Sequence, residues 1–179
     1  MITSKVAVDH VGLSVPNLEQ AIDFFVSAFG CKVVFHAGPY DDLGFTWPGD
    51  DGPENTTMRL AMLRMGDSDN IEILEYTRQD APNDPPAPRV SQPGGMHLCF
   101  YVEDIYEAEK ELRKRDDIRW LNAVSKEEGG PLDGLDWSYF LTDWGLVIEL
   151  IRWPEGLPYE QSTSERLVSP PWRHSHSHA

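Results

Sequence analysis

Two histidines and two glutamates are the residues of this sequence whose types and positions could do chemistry together. They are His10, Glu72, His97 and Glu149, and each lies in a short segment that occurs twice in the chain. One strand histidine is usually structural, and one glutamate between isoleucines usually faces solvent on a half-exposed sheet. Because all four occur at repeat-related positions, we interpret them as parts of one site.

Two imidazoles and two carboxylates suit a divalent ion of the borderline class, namely one Zn, Mn, Co, Ni or Fe ion per site. Four protein ligands in a six-coordinate shell leave two positions open for oxygens of a substrate. Such an ion acts as a Lewis acid and stabilises a developing enediolate. Glu72 and Glu149, on opposite sides of the substrate, are the predicted catalytic groups. One removes a proton from one face and the other returns it to the opposite face, which inverts a stereocentre.

The internal repeat also predicts the elements that position these residues. Residues 9–21 are aligned with residues 96–108. The runs 7–15 and 95–102 are short and apolar, which is typical of strands. Asn17 and Asp104 then serve as N-caps of two helices. The first helix is expected to bury Leu18, Ala21, Ile22, Phe25 and Phe29 and to end at Gly30, and the second to run from Ile105 to about Arg115. Three strands follow each helix, over 32–37, 58–64 and 70–76 and over 118–122, 137–142 and 146–153.

We therefore predict an α+β protein made of two tandem βαβββ modules. The modules span residues 5–76 and 94–154, a proline-rich linker spans 77–93, and a tail spans 155–179. The long Gly38–Thr57 segment is either a lid over a site or an insertion, and the sequence favours neither. The histidines at 174, 176 and 178 are more typical of a frayed tail or a purification remnant than of a site.

Composition narrows the class of partner. The 179 residues carry a formal charge of −15, which repels phosphate backbones and argues against a nucleic acid partner. No apolar run approaches the ~20 residues that span a membrane, and no secretory segment begins the chain, so we expect a cytoplasmic protein that does not bind membranes. Cys31 and Cys99 are predicted to be buried, reduced thiols.

The sequence resembles the vicinal oxygen chelate superfamily, which includes glyoxalase I, methylmalonyl-CoA epimerase, extradiol dioxygenases and bleomycin-resistance proteins. The resemblance covers residues 5–154 and rests on Asp9-His10-Val11-Gly12-Leu13-Ser14-Val15, Asn70-Ile71-Glu72-Ile73-Leu74, Gly95-Met96-His97-Leu98-Cys99-Phe100-Tyr101 and Asp143-Trp144-Gly145-Leu146-Val147-Ile148-Glu149. It implies that the sheets of the paired modules form a cup around one metal ion. The family's four ligand positions correspond to His10, Glu72, His97 and Glu149.

Features of the loops and of one strand are similar to the 2-epi-5-epi-valiolone epimerase-like branch of that superfamily. They are the long Gly38–Thr57 segment, the proline-rich linker, Trp137-Ser138-Tyr139-Phe140 and Asp143-Trp144-Gly145. This resemblance implies a metal-dependent epimerase of natural product biosynthesis, which acts on a small polyhydroxylated ketone through a metal-chelated enediolate. We also expect a homodimer.

Two other functions remain open at this stage. A glyoxalase I-like lyase uses the same ligand types, and an antibiotic-sequestering resistance protein would share the acidic charge but not the ligands. Methylmalonyl-CoA epimerase fits less well for two reasons. It usually has a neutral amide at the position that corresponds to Glu72, and its anionic CoA substrate would be repelled by a protein with a charge of −15. An extradiol dioxygenase fits less well because it needs only one carboxylate ligand.

Four further residues are candidates to line the substrate site. Tyr101, Trp137 and Tyr139 share predicted strand faces with one another or with His97, and His36 ends the second strand. Large aromatic side chains in strands belong more often to the core, and a lone histidine more often to the surface.

Overall fold

The computed structural model describes residues 7–41, 56–67, 69–78 and 89–168. The chain divides into two compact units, Met1–Pro85 and Pro86–Ala179. The boundary between the units falls within the segment predicted to be a linker, while the bounds of the four predicted segments stay predictions. Most of the Gly38–Thr57 segment, most of the linker and the histidine-rich tail lie outside the described residues.

The described part of the first unit is a four-stranded sheet with one α-helix. Its strands lie in the order β1-β4-β3-β2, with β1 parallel to β4 and the other pairs antiparallel. The elements are β1 (Val11–Ser14), α1 (Leu18–Phe29), β2 (Lys32–Tyr40), β3 (Thr56–Met65) and β4 (Asp69–Arg78).

The described part of the second unit repeats this arrangement. Its sheet has the order β5-β9-β8-β6, in which β5 is again parallel to β9. The elements are β5 (His97–Tyr101), α2 (Ile105–Leu112), β6 (Ile118–Trp120), β7 (Ser125–Lys126), β8 (Asp136–Thr142) and β9 (Val147–Arg152). The predicted α+β class with two βαβββ modules is confirmed. The short β7, which pairs with β8, was not predicted.

Both helices begin at the predicted residues. The Asn17 side chain accepts a hydrogen bond from the backbone N–H of Gln20, and the Asp104 side chain accepts from Tyr106 and Glu107. These bonds satisfy N–H groups that the first turn of a helix leaves without partners. The first helix ends at Gly30 as predicted, whereas α2 ends at Leu112, about three residues early.

Each helix covers one face of its own sheet. In the first unit, α1 buries Leu18, Ala21, Ile22, Phe24 and Phe25 over a sheet face that buries Ala61, Leu63, Ile71 and Ile73. The prediction named Phe29 rather than Phe24, and Phe29 is only half-buried because it lies in the last turn. In the second unit, the corresponding core contains Ile105, Leu112, Phe140, Ile148 and Leu150. We call the opposite face of each sheet, which carries Glu72 in the first unit and Glu149 in the second, its open face.

The two cysteines differ in their surroundings. Cys31 is buried, as predicted, but Cys99 is exposed, and both are free cysteines. The prediction for Cys99 was wrong because β5 pairs with β9 so that Cys99 lies opposite Glu149, on the open face. Over the described ranges, none of the helices has the length and apolar character needed to cross a bilayer.

The end of α1 provides a test of the local fold. Gly30 has a φ of 68°, in the left-handed region, and no atom lies within 4 Å of where a Cβ would stand. Gly30→Ala should therefore lower the free energy of unfolding by about 1 kcal/mol through backbone strain alone. Gly30→Asn should cost less, because asparagine enters this region more readily. Denaturant titration measures both variants, and equal losses would contradict this explanation.

Candidate functional site

The first histidine–glutamate pair lies where β1 and β4 run side by side. Gly12 is the register partner of Glu72, so His10 precedes that partner by two residues on the same side of the sheet. The Nε2 atom of His10 lies 3.4 Å from Oε2 of Glu72. A Cβ at position 12 would lie 3.5 Å from that same oxygen, which is ordinary van der Waals contact, so the space for the carboxylate does not depend on the glycine.

The second pair repeats this geometry in the other unit. Cys99 is the register partner of Glu149, and His97 again precedes that partner by two residues. The Nε2 atom of His97 lies 3.1 Å from Oε2 of Glu149. Both carboxylates are the more covered members of their pairs, with 21% and 14% of the side chain exposed against 36% and 38% for the imidazoles.

Asp9 orients the imidazole of the first pair. Its Oδ1 lies 2.7 Å from Nδ1 of His10, and its backbone carbonyl accepts a hydrogen bond from the Asn70 side chain. When the proton of the neutral ring is held at Nδ1, the Nε2 atom, which faces Glu72, is unprotonated and has a free lone pair. The hydrogen bond with Asp9 raises the pKa of His10, and the negative charge of Glu72 raises it further.

The second pair has different neighbours. Tyr139 on β8 is the antiparallel register partner of Glu149. The ring of Tyr139 meets the ring of His97 edge to face, with centroids 5.8 Å apart and an angle of 89°. Partial burial raises the pKa of the Cys99 thiol, and the negative charge of Glu149 raises it further. Partial burial and the negative charge of Glu149 also raise the pKa of Tyr139.

Three of the four residues predicted to line a substrate site lie on this open face. Tyr139 is the register partner of Glu149. Trp137 and Tyr101 are both register partners of Ile151, which lies two residues after Glu149 on β9 and therefore on the same face. The rings of Trp137 and Tyr139 are in contact, with centroids 5.6 Å apart. The structure therefore groups these aromatic side chains around the second pair.

His36 lies on the other face of its sheet. A bulge at Val34 shifts the pairing of β2 with β3, so that His36 is opposite Ala61 on the helix-covered face. Val33, before the bulge, pairs with Leu63. If that register had continued without a bulge, His36 would lie opposite Leu60 on the open face. His36 instead lines a cavity of about 200 Å³ together with Leu18 and Arg59. The structure does not bring it together with the His10–Glu72 pair.

The two pairs are suited to hold a metal ion. Two ligand atoms about 2.1 Å from one ion lie about 3.0 Å apart at a right angle and about 3.4 Å apart at the tetrahedral angle. The observed separations of 3.4 Å and 3.1 Å match this spacing. In the described ranges, no cluster of three or more His, Cys, Asp or Glu fit for a metal is found. Each unit thus carries one imidazole and one carboxylate at ligand spacing.

Comparison with known proteins places the chain in a family. Residues 9–130 match the model of the Glyoxalase/Bleomycin resistance protein/Dioxygenase superfamily. The chain belongs to this superfamily. A relative from Actinomyces sp. named 2-epi-5-epi-valiolone epimerase is 37% identical over 171 residues, covering 94% of this chain and 91% of that protein.

Solved structures share the fold. A glyoxalase family protein from Bacillus cereus is 23% identical, with a TM-score of 0.67 over 86% of this chain and 98% of that one. A fosfomycin resistance protein from Listeria monocytogenes, solved with Mn(II) and a sulfate ion, is 16% identical, with a TM-score of 0.54 over 91% of this chain and all of that one. At these sequence identities, the similarity shows a shared fold.

Two neighbours of the pairs were missed by sequence reasoning. Asp9 adjoins His10 in the chain, and this adjacency of a carboxylate and an imidazole was a usable signal. Cys99 was predicted only to be a buried thiol. Its place opposite Glu149 depends on strand register, for which the sequence has no local signal.

The contact between Asp9 and His10 can be tested by titration. Asp9→Asn removes the negative charge that favours the imidazolium, so the pKa of His10 should fall toward the ordinary value of about 6.5. NMR titration of the metal-free protein, followed at the His10 ring protons, measures the change. Asp23→Asn, which removes an exposed charge from α1, should leave the His10 titration where it is. A His10 pKa that stays at its wild-type value in Asp9→Asn would contradict the orienting role.

Proposed function

We propose that this protein is an epimerase that inverts a stereocentre beside the carbonyl of a small polyhydroxylated ketone. A cyclitol ketone such as 2-epi-5-epi-valiolone is the proposed substrate. The 37% identical relative that bears this activity in its name supports the reaction class. We further propose that His10, Glu72, His97 and Glu149 are the ligands of one divalent metal ion.

The observation that carries the proposal is the duplicated pair. Each unit sets a histidine Nε2 3.4 Å or 3.1 Å from a glutamate oxygen in the same strand register. Epimerisation beside a carbonyl needs a proton acceptor for one face of the carbon and a proton donor for the other. Two partly covered carboxylates, each beside an imidazole, provide this matched set of groups.

The residues of the chain would act as follows. One carboxylate, Glu72 or Glu149, takes the proton from the carbon beside the carbonyl, and the electrons of that C–H bond move toward the carbonyl oxygen to give an enediolate. The other glutamate, as the acid, delivers a proton to the opposite face, and the carbonyl is restored with inverted configuration. In the reverse reaction the two glutamates exchange roles. When bound, a divalent ion supplies Lewis acidity that stabilises the negative charge of the enediolate.

The aromatic residues around the second pair would bind the substrate. Trp137 and Tyr101 present large apolar surfaces on the open face of the second sheet, on strands that flank Glu149. The faces of such rings can cover the C–H surface of a cyclitol while leaving its hydroxyls to polar partners. This covering would also limit the access of water to the enediolate.

Solvent isotope exchange tests the reaction. In deuterated water, the metal-loaded protein should exchange one α-proton of the ketone and invert one centre. Glu72→Gln and Glu149→Gln should each lower the rate of inversion at least ~100-fold, because each removes one of the two proton-transfer groups. Glu155→Gln, at an exposed position of the second unit, should keep the rate of the wild type. Rates are followed by NMR.

Two results would replace the proposal. Absence of exchange with every cyclitol and sugar ketone, together with rapid turnover of a glutathione hemithioacetal, would assign a glyoxalase I-like lyase. A wild-type protein that purifies without metal, together with a His97→Ala variant that binds a small-molecule antibiotic as well as the wild type, would assign a sequestering protein.

Metal content tests the ligand set separately from activity. Elemental analysis of protein lacking residues 174–179 should find a divalent ion, since this truncation removes the histidines of the tail. His10→Ala and His97→Ala should lower its amount strongly. His36→Ala is the matched control, because that histidine lies on the helix-covered face, and it should leave the metal content unchanged. Equal content in all three variants would refute the ligand assignment.

A further inference from the structure

The two glutamates of the duplicated pairs differ in what flanks them on the neighbouring strands. Glu149 lies between its register partners Cys99 on β5 and Tyr139 on β8, and each of these residues carries a side-chain hydrogen-bond donor. Glu72 lies between Gly12 on β1 and Met62 on β3 at the equivalent register positions. Neither glycine nor methionine has a side-chain hydrogen-bond donor. The second unit therefore has a support for its carboxylate that the first unit lacks at these positions.

We propose that Tyr139 is a positioning residue, which holds Glu149 and His97 in the orientation in which they bind the metal ion. Its hydroxyl fixes the carboxylate and its ring limits the rotation of the imidazole, while Cys99 supports the carboxylate from the other side. This inference rests on the proposed function, because it takes His97 and Glu149 as metal ligands. It gives Tyr139 a different role from contact with the substrate.

The position of Tyr139 explains how one side chain can orient both Glu149 and His97. The ring of Tyr139 meets His97 edge to face at 5.8 Å, and Tyr139 is the register partner of Glu149, the second member of the same pair. Its backbone belongs to β8, which is held between β9 and β6, and Trp137 packs against its ring at 5.6 Å. A rigid side chain on a paired strand orients both ligands when the protein folds, so less ordering is required when the metal binds.

The first unit orients its pair through a different partner. There the outer contact is made by Asp9, at 2.7 Å from Nδ1 of His10, and it acts on the imidazole rather than on the carboxylate. The residue before His97 is Met96, which cannot make such a bond. Each pair thus has its own outer support, and in the second unit Tyr139 fills that role. Partners of metal ligands commonly contribute about 10–100-fold to metal affinity.

The experiment is a calorimetric titration with Mn²⁺ of metal-free protein that lacks residues 174–179. Tyr139→Phe removes the hydroxyl and keeps the ring, whereas Tyr139→Leu removes both. Met62→Leu is the matched control, because Met62 occupies the equivalent register position opposite Glu72. Glu149→Gln tests the ligand assignment itself. NMR of the His97 ring protons in metal-free protein reports the ring contact independently of any metal, and KM and kcat are measured for each variant.

We expect Tyr139→Phe to weaken Mn²⁺ binding about tenfold and Tyr139→Leu to weaken it further. Met62→Leu should remain within about twofold of the wild type, since it preserves volume and removes no hydrogen bond. The His97 ring protons should shift in Tyr139→Leu, which loses the ring current, and stay near their wild-type positions in Tyr139→Phe. At saturating Mn²⁺, KM should change less than kcat.

The contrary results are distinguishable. If Glu149→Gln weakens Mn²⁺ binding and Tyr139→Phe does not, the positioning role is refuted while the proposed function stands. If Tyr139→Phe raises KM with unchanged Mn²⁺ affinity, Tyr139 contacts the substrate and is not a positioning residue. If the wild type and Glu149→Gln bind Mn²⁺ equally or not at all, the ligand assignment fails, and the inference fails with it.

Discussion

The structure of each unit depends on the parallel pairing of its first strand with its last. In both units this pairing sets the histidine two residues before the register partner of the glutamate, so that both side chains emerge on one face. A parallel pair requires a crossover connection, which in each unit consists of the helix and the strands that follow it. A shift of one residue in either pair would turn the glutamate toward the helix and bury its charge without a partner. The register is therefore the constraint on which the candidate site rests.

The helices determine which face of each sheet is left for polar groups. Alternation along β4 and β9 places Ile71, Ile73, Ile148 and Leu150 in the core and Glu72 or Glu149 on the open face. The carboxylates are largely but not fully covered, and among the described residues each forms its ion pair with an imidazole and not with a lysine or arginine. A positively charged partner would compete with a metal ion for the carboxylate, whereas a neutral imidazole is itself a ligand.

The two units have the same histidine–glutamate pair but different residues around it. Asp9 is hydrogen-bonded to the imidazole of the first pair, whereas Tyr139 and Cys99 flank the carboxylate of the second. A reaction that moves a proton from one face of a carbon to the other does not require the two acid–base groups to be identical. Because different residues flank Glu72 and Glu149, the two side chains can differ in mobility. The two glutamates therefore need not have the same role, although the two units share a fold.

The sequence by itself determined the two βαβββ modules, the helix starts at Asn17 and Asp104, and the alternation that separates core from open face. These features depend on local patterns, on capping groups that lie within a turn of the helix start, and on a repeat that can be aligned by eye. It also singled out His10, Glu72, His97 and Glu149, because duplication marks equivalent positions without any knowledge of the fold.

Tertiary structure alone decided which residues surround the pairs. The bulge at Val34 moved His36 to the helix-covered face, and nothing in the run Val33-Val34-Phe35 indicates an extra residue. Cys99 and Tyr139 flank Glu149 because β9 pairs both with β8, which precedes it directly, and with β5, which is distant in sequence. Strand register is fixed by the packing of whole sheet faces and not by the residues of one segment, so these contacts follow only from the assembled sheet.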